Sequence, residues 1–142
     1  MQSLHRLFYI SRCKVDPCGP ELRRILEVAT SRNAALDVTG LLCCSGDHFA
    51  QLLEGQPGAL EALMHSIRAD ARHCVLVEWP ICATSAARWF PGWAMGYTFD
   101  TRLEDALGRL TAAPGDLPAI DSLAPELLGG FDLYRAAPIS VV

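Results

Sequence analysis

Two apolar segments joined by a turn constrain the fold of this chain more than any other feature. Val38–Leu42 and Phe49–Gly55 have the composition of β-strands, and Ser45-Gly46-Asp47 between them supplies turn residues. Segments of this kind, separated by a few turn residues, form β-hairpins. The sequence therefore predicts a hairpin over residues 38–54 and, with it, a β-sheet at the centre of the fold.

The periodicity of the other apolar residues predicts further strands and helices in the order βαββαββ. The additional strands are expected at 4–11, 74–79 and 90–98, and the helices at 21–32 and 58–70. Pro80 is expected to end the fourth strand. This order is that of a ferredoxin-like βαββαβ fold of the α+β class with an added fifth strand. Because crossover connections are right-handed, both helices are expected on one face of the sheet.

Three polar residues fall on predicted apolar faces. Gln51 shares a strand face with Phe49 and Leu53, and Tyr9 shares one with Leu7. Asn33 continues the apolar stripe of the first helix, although an asparagine there can also end a helix in a left-handed conformation. An unpaired buried amide costs roughly 1–3 kcal/mol, so these groups need partners from the protein or from a ligand. Together they predict a pocket for a planar, hydrogen-bonding ligand.

The groove between the two predicted helices is the natural place for such a ligand. Ile25 and Ile67, one from the apolar stripe of each helix, could hold a flat ring between them or could simply pack in the core. The glycine-rich GxGxxG motif of Rossmann dinucleotide sites follows no predicted strand. A ligand here would therefore be held by hydrogen bonds to the edge of its ring.

Composition restricts the classes of function. The 142 residues suffice for one domain, and 12 basic against 16 acidic side chains give no electrostatic footprint for nucleic acid. No apolar run approaches the roughly 20 residues of a membrane span, and no signal peptide is evident. The six cysteines and four histidines lack metal-ligand spacing. A cytoplasmic protein without a metal site, with reduced thiols, and without membrane or nucleic-acid binding is expected.

Six segments, in order, resemble the BLUF domain, the blue-light sensor that uses FAD. The resemblance runs from about Leu4 to Tyr97 and predicts a photosensory core over 1–98, with a helical extension over 99–142. The segments are Leu7-Phe8-Tyr9-Ile10-Ser11-Arg12, Arg32-Asn33, Val38-Thr39-Gly40-Leu41-Leu42, Phe49-Ala50-Gln51-Leu52-Leu53-Glu54-Gly55, Asp70-Ala71-Arg72-His73 and Arg88-Trp89-Phe90-Pro91-Gly92-Trp93-Ala94-Met95-Gly96-Tyr97.

The resemblance implies how non-covalent FAD would be bound. Asn33 and Gln51 would hydrogen-bond the edge of the isoalloxazine ring, and isoleucines 25 and 67 would sandwich it. Asp70 and His73 would lie near the ribityl or phosphate end. Arg32 and Arg68 are candidates to meet phosphate. Family members often carry an arginine where this chain has Ser66, and Arg68 is the candidate replacement.

The resemblance also implies a photochemical switch rather than a turnover enzyme. Light would drive electron and proton transfer from Tyr9 through Gln51 to the flavin and back, leaving the Gln51 amide rotated or tautomerised. The flavin spectrum would shift to the red without net redox change. Trp93 and Met95, expected on one face of the last strand, match the exchangeable Trp/Met pair beside the family glutamine. The sequence does not decide whether Trp93 or Met95 is the side chain that faces the flavin.

Two other classes of function are weighed against this one. A small ferredoxin-like hydrolase would need an anion-cradling loop, but the segment Arg12–Gly19 is interrupted by proline. A BLUF-derived interaction module without photochemistry would have no need of Tyr9 and Gln51. In the extension, helices are expected near 101–110 and 122–128, covering the other sheet face or forming a dimer contact. The expected partners are an unknown downstream protein and further copies of the chain.

Overall fold

A computed structural model describes residues 4–16, 19–85 and 87–120 of the chain. The elements follow the predicted βαββαββ order and then add a short 3₁₀ turn and a third helix. They are β1 (Leu4–Cys13), α1 (Pro20–Ala35), β2 (Thr39–Cys44), β3 (His48–Gly55), α2 (Pro57–Arg68), β4 (His73–Thr84), β5 (Gly96–Phe99), the turn Thr101–Leu103 and α3 (Glu104–Ala112).

The strands form one sheet in the order β4-β1-β3-β2-β5. All neighbours are antiparallel except β2 and β5, which run parallel. The predicted hairpin is confirmed as β2 and β3, and Gly46 in its turn has a φ of 122°, which favours glycine. Gln51 of β3 lies opposite Tyr9 of β1 on one side and Leu42 of β2 on the other. Strand register therefore places the tyrosine and the glutamine side by side.

The sheet separates two apolar cores. The first core contains the buried stripes of α1 and α2, so both helices cover one face as predicted. The second core lies on the opposite face and includes Leu107 of α3. In the part of the chain that the structure describes, no helix is both long and apolar enough to span a bilayer.

The fourth strand is longer than predicted. It continues through Pro80 to Thr84, so the expectation that Pro80 ends it is wrong. β4 is an edge strand, and its pairing with β1 shifts register between Arg6 and Phe8, the stretch that faces Pro80. Proline is tolerated at edges and bulges because no ladder hydrogen bond is needed from it there.

The fifth strand is shorter than predicted and begins only at Gly96. The segment before it turns, with Trp93 N–H donating to the carbonyl of Phe90 at 3.1 Å. Trp93 consequently lies in the second core, whereas Met95 lies in the first. The expectation that the two share a face is wrong, because side chains alternate regularly only within an extended strand.

The helix expected near 101–110 is present as the 3₁₀ turn and α3, and it covers the second face of the sheet. A polar clasp joins its first residue to the turn of the hairpin. The carboxylate of Glu104 accepts hydrogen bonds from the hydroxyl of Ser45 and, at 2.6 Å, from Nδ1 of His48. The helix expected near 122–128 lies outside the described residues.

Candidate functional site

A cleft opens between α1 and α2 above the first face of the sheet. The space in and at the mouth of the cleft, including space open to solvent, amounts to about 630 Å³. Eight of the side chains predicted from the sequence as site residues line this cleft. They are Tyr9, Ile25, Arg32, Gln51, Ile67, Asp70, His73 and Met95.

A line of polar contacts crosses the floor of the cleft. The Tyr9 hydroxyl donates to Oε1 of Gln51 at 2.5 Å, and Nε2 of Gln51 donates to the sulfur of Met95 at 3.5 Å. All three side chains are buried. Burial, with the negative charge of Asp70 as a smaller cause, raises the pKa of Tyr9 above its ordinary value of 10.0. The phenol therefore keeps its proton at neutral pH and acts as the hydrogen-bond donor to Gln51.

Asn33 stays within α1 instead of ending it, and the left-handed residue is Asp37, with a φ of 54°. The Asn33 side chain is almost completely buried, and its Nδ2 donates to the carbonyl of Ala94 at 2.9 Å. Its Oδ1 has no hydrogen-bond partner, and neither does the buried Nε of the adjacent Arg32. Buried polar atoms are rarely left unpaired. One free acceptor on Asn33 and one free donor on Arg32, which lines the cleft, therefore remain at the end of α1.

Charged residues from the α2–β4 connection form another wall of the cleft. The guanidinium of Arg72 pairs with the carboxylate of Asp70, with Nη2 and Oδ2 at 2.7 Å, and holds the pKa of Asp70 below its usual value. The His73 ring is fixed from both sides. Nε2–H donates to the carbonyl of Ile67 at 2.8 Å, and Nδ1 lies 2.8 Å from the hydroxyl of Ser11.

Three predicted site residues do not line the cleft: Asn33, whose buried contacts are described above, and two residues that lie elsewhere. Arg68 is half exposed on α2 and forms a two-point ion pair with Glu78, whose Oε2 lies 2.9 Å from Arg68 Nε. Trp93 lies across the sheet in the second core. Arg72, which was not singled out from the sequence, lines the cleft instead, as does Ser66. Arg72 follows Asp70 by two residues in an irregular connection, so helical or strand periodicity gave no signal for it.

Fold and site together define a ferredoxin-like ligand-binding domain with a buried tyrosine–glutamine pair at its cleft. Residues 4–96 match the family model described as "Sensors of blue-light using FAD". The chain belongs to this family, the BLUF domains, and is a blue-light sensor that uses FAD. Among the described residues, no three His, Cys, Asp or Glu side chains come together as metal ligands.

Known proteins with similar sequences contain this domain as part of a longer chain. The blue light- and temperature-regulated antirepressor BluF of Escherichia coli is 36% identical over 102 residues, which cover 72% of this chain and 25% of that protein. The photoactivated adenylate cyclase subunit beta of Euglena gracilis is 34% identical over 66% of this chain and 11% of its own length. This chain therefore spans a quarter or less of these relatives.

A solved structure of similar size has the same fold over nearly its whole length. The dark-state structure of BlrB, a BLUF protein, is 28% identical and superposes with a TM-score of 0.68, covering 98% of this chain and 99% of that one. The prediction of a ferredoxin-like sheet with an added strand agrees with this likeness.

Proposed function

We propose that Tyr9 and Gln51 carry the light response of this sensor, and that the chain works as a switch on a separate partner rather than as a turnover enzyme. The observation that supports this is the line of contacts from the Tyr9 hydroxyl through the Gln51 amide to Met95. Its first two members lie opposite each other in the strand register, so the sheet itself fixes their geometry.

The residues of the cleft fit FAD. When bound, FAD supplies absorption of blue light and an excited state that accepts an electron. Asn33 Oδ1 and Arg32 Nε offer an unused acceptor and donor to a polar ring edge, and isoleucines 25 and 67 offer apolar faces. Arg72 supplies the positive charge that was expected from Arg68, with Asp70 and His73 beside it. These residues are proposed to hold the cofactor.

The Gln51 amide has two alternative arrangements. In the structure its oxygen faces the Tyr9 hydroxyl and its nitrogen faces Met95. When Tyr9 gives up an electron, its proton can leave along the 2.5 Å hydrogen bond to Oε1 of Gln51. Return of the electron, and of the proton along the same bond, would restore Tyr9 with no net redox change, and a half-turn of the amide would then exchange its two contacts. Light would thus shift Gln51 between two states of one protein.

The role of the pair is tested by Tyr9→Phe and Gln51→Leu. Both changes nearly conserve volume, so each variant is expected to fold and bind FAD. Each is expected to lose the normal red-shifted state, because the donor or the relay is removed. Absorption spectra before and after blue light provide the measurement, and release of FAD on denaturation reports occupancy.

Tyr97→Phe is the matched control. Tyr97 packs against the same core but does not line the cleft, so its phenol should be dispensable for the spectral shift. A wild-type photocycle in either Tyr9→Phe or Gln51→Leu would contradict the proposed roles. A colourless wild-type protein that takes up no FAD would contradict the cofactor assignment for this chain.

The proposed output is a contact with another protein. The E. coli relative is named an antirepressor and the Euglena relative a cyclase subunit, so related domains occur in proteins with different outputs. The proposal is a cytoplasmic sensor core, 1–98, whose extension, 99–142, transmits the signal to an effector. Self-association of the chain remains part of the proposal.

A further inference from the structure

Glu54 lies at the end of β3, and its side chain points to the face of the sheet away from the cleft. It is completely buried, as is Arg6, which faces it in the strand register. The Glu54 carboxylate accepts four hydrogen bonds. Its donors are Trp89 N–H at 2.9 Å, Phe90 N–H at 2.8 Å, the Thr39 hydroxyl at 2.9 Å and Arg6 Nε at 3.4 Å.

Two arginines extend this network along the same stretch of chain. Arg6 also donates to the Thr84 hydroxyl at 2.9 Å and to the carbonyl of Ala87 at 2.7 Å. Arg88 donates to the Thr39 hydroxyl at 2.8 Å and to the carbonyl of Asp37 at 2.9 Å. The chain between β4 and β5 is therefore fastened to β1, β2 and β3 by charged hydrogen bonds.

The connection between β4 and β5 that these hydrogen bonds hold is also the segment that places Met95 beside Gln51. After Phe90 the chain turns, and the carbonyl of Trp93 accepts from Gly40 N–H at 3.0 Å. Two residues later Met95 reaches the other side of the sheet and contacts the Gln51 amide. A buried ion pair is seldom more stabilising than apolar residues of the same volume, so a role in fixing geometry accounts better for its presence.

We propose that Glu54 is a positioning residue for the light response. By holding the backbone N–H groups of Trp89 and Phe90, it sets where Met95 lies relative to Gln51. This inference rests on the proposed function, in which the Gln51 amide changes its contacts on illumination. Because the arrangement of Met95 stabilises one Gln51 state over the other, Glu54 should control how fast the lit state returns to the dark state.

The test is Glu54→Gln in the full chain with FAD bound. The two backbone donors approach different carboxylate oxygens, so an amide can satisfy one and opposes the other. The variant is expected to keep FAD and the red shift but to change the dark-recovery rate by ~3-fold or more, as for a residue that acts without touching the ligand. Hydrogen exchange at the Trp89 and Phe90 amides should also become faster.

Val77→Ala is the control for general destabilisation. Val77 is buried in the same second core but on the edge strand β4, at the opposite edge of the sheet from β5. It should lower stability while leaving the recovery rate and the two amides unchanged. An unchanged recovery rate in Glu54→Gln, or an equal change in Val77→Ala, would overturn the inference.

Thr39→Val decides the question if Glu54→Gln does not fold. It is nearly isosteric and removes one donor to Glu54 together with one of the acceptors of Arg88. A change in the recovery rate of ~2-fold or more is expected; a recovery rate like that of the wild type would overturn the inference. If the wild type shows no red shift on illumination, the proposed function itself is contradicted. If the red shift occurs but its recovery does not depend on Glu54, only the present inference is contradicted.

Discussion

Tyr9 is a polar side chain in an apolar position, and it is the residue to which we assign the first step of the proposed light response. Its ring packs in the first core while its hydroxyl donates to the amide of Gln51, a partner that can both accept and donate hydrogen bonds. Burial raises the pKa of this hydroxyl, and this suppresses its ionisation in the folded protein. The hydroxyl is therefore held ready as a proton donor.

This suppression predicts an alkaline loss of stability. In the unfolded chain Tyr9 ionises above its ordinary pKa near 10, whereas in the folded protein it stays neutral because its pKa is raised. The free energy of unfolding should fall as pH rises above 10, by about 1.4 kcal/mol per pH unit from this residue. Urea unfolding of the wild type and Tyr9→Phe, both with FAD, at pH 8 and pH 11 measures it.

The comparison with Tyr9→Phe separates the contribution of Tyr9 to the alkaline loss of stability from the contribution of the buried cysteines. Burial raises the pKa of Cys43 to about 12 and that of Cys44 to about 11, so both thiols lower stability above pH 9 in either protein. Only the difference between the two proteins reports Tyr9. If both lose the same stability between pH 8 and pH 11, the phenol is not protected as described.

Residues whose signal comes from periodicity could be predicted from the sequence. Gln51, Tyr9 and Asn33 interrupt regular apolar stripes, and all three lie in or beside the cleft. Arg72 could not be found this way, because it lies in a connection where no stripe exists. The prediction that Arg68 reaches the ligand was wrong because its side chain turns instead toward Glu78 of β4. The sequence does not fix the register of β4, so this ion pair could not be predicted.

At the scale of elements, the sequence predicted which strands and helices exist better than where they end. The edge position of β4 lets it pass through Pro80, and edge position is a property of the whole sheet rather than of the local sequence. The late start of β5 places Trp93 and Met95 on opposite faces. Between Trp93 and Met95 the chain passes from one face of the sheet to the other, and this crossing depends on tertiary contacts at Gly96.

Gly96→Ala should disturb this crossing. A Cβ at this position would lie 2.4 Å from Cε3 of Trp93 and 2.8 Å from Cδ1 of Leu41, so the indole must move. Overpacking of this kind destabilises by about 1–3 kcal/mol. Urea unfolding gives the change in stability, and tryptophan fluorescence reports the displaced indole.

Gly108→Ala is a control with the opposite expected sign. Gly108 lies within α3, where an added Cβ meets no atom within 4 Å. Alanine in a helix is favoured over glycine by about 0.5–1 kcal/mol, so this variant should be stabilised. The two glycine-to-alanine substitutions should then change the free energy of unfolding in opposite directions, because of the two glycines only Gly96 is crowded. Equal changes would show that the neighbours of Gly96 make room for the Cβ at no cost in stability.

At the scale of the whole molecule, the sheet has a ligand-binding face and a face covered by α3. In the described part of the chain, two features link the cleft side of the sheet to α3. One is the segment that carries Trp93 and Met95, and the other is the set of hydrogen bonds from Ser45 and His48 to Glu104. Burial tends to raise the pKa of Glu104, but the hydrogen bonds from Ser45 and His48 outweigh it and keep the carboxylate charged. The first feature contacts β2 through the hydrogen bond from Gly40 N–H to the carbonyl of Trp93, and the second contacts the hairpin at Ser45 and His48.

Met95→Ala is expected to separate the spectral response from the output. The flavin red shift should remain, because Tyr9 and Gln51 are unchanged. The light-induced change in the 100–130 segment, including α3, should weaken, because the side chain that contacts the Gln51 amide is gone. Hydrogen exchange of the segment in dark and illuminated protein measures the effect.

Met64→Ala is the matched control for this experiment. Met64 is equally buried in the first core but does not line the cleft, so the light-induced change in the segment should persist. Equal protection of residues 100–130 in the dark and lit wild type would show that the signal leaves by another route, through the hairpin or the open edge of the sheet.

The distribution of tryptophan over the two faces has a consequence for electron flow. All three indoles of the chain lie away from the cleft, Trp79 and Trp93 inside the second core and Trp89 packed against it. Indoles, like phenols, are readily oxidised by an excited chromophore, and the rate of electron transfer falls steeply with distance. With a sheet between them and the cleft, the indoles compete poorly with Tyr9. The layering of the fold therefore favours the proposal that Tyr9, rather than an indole, is the side chain that loses the electron.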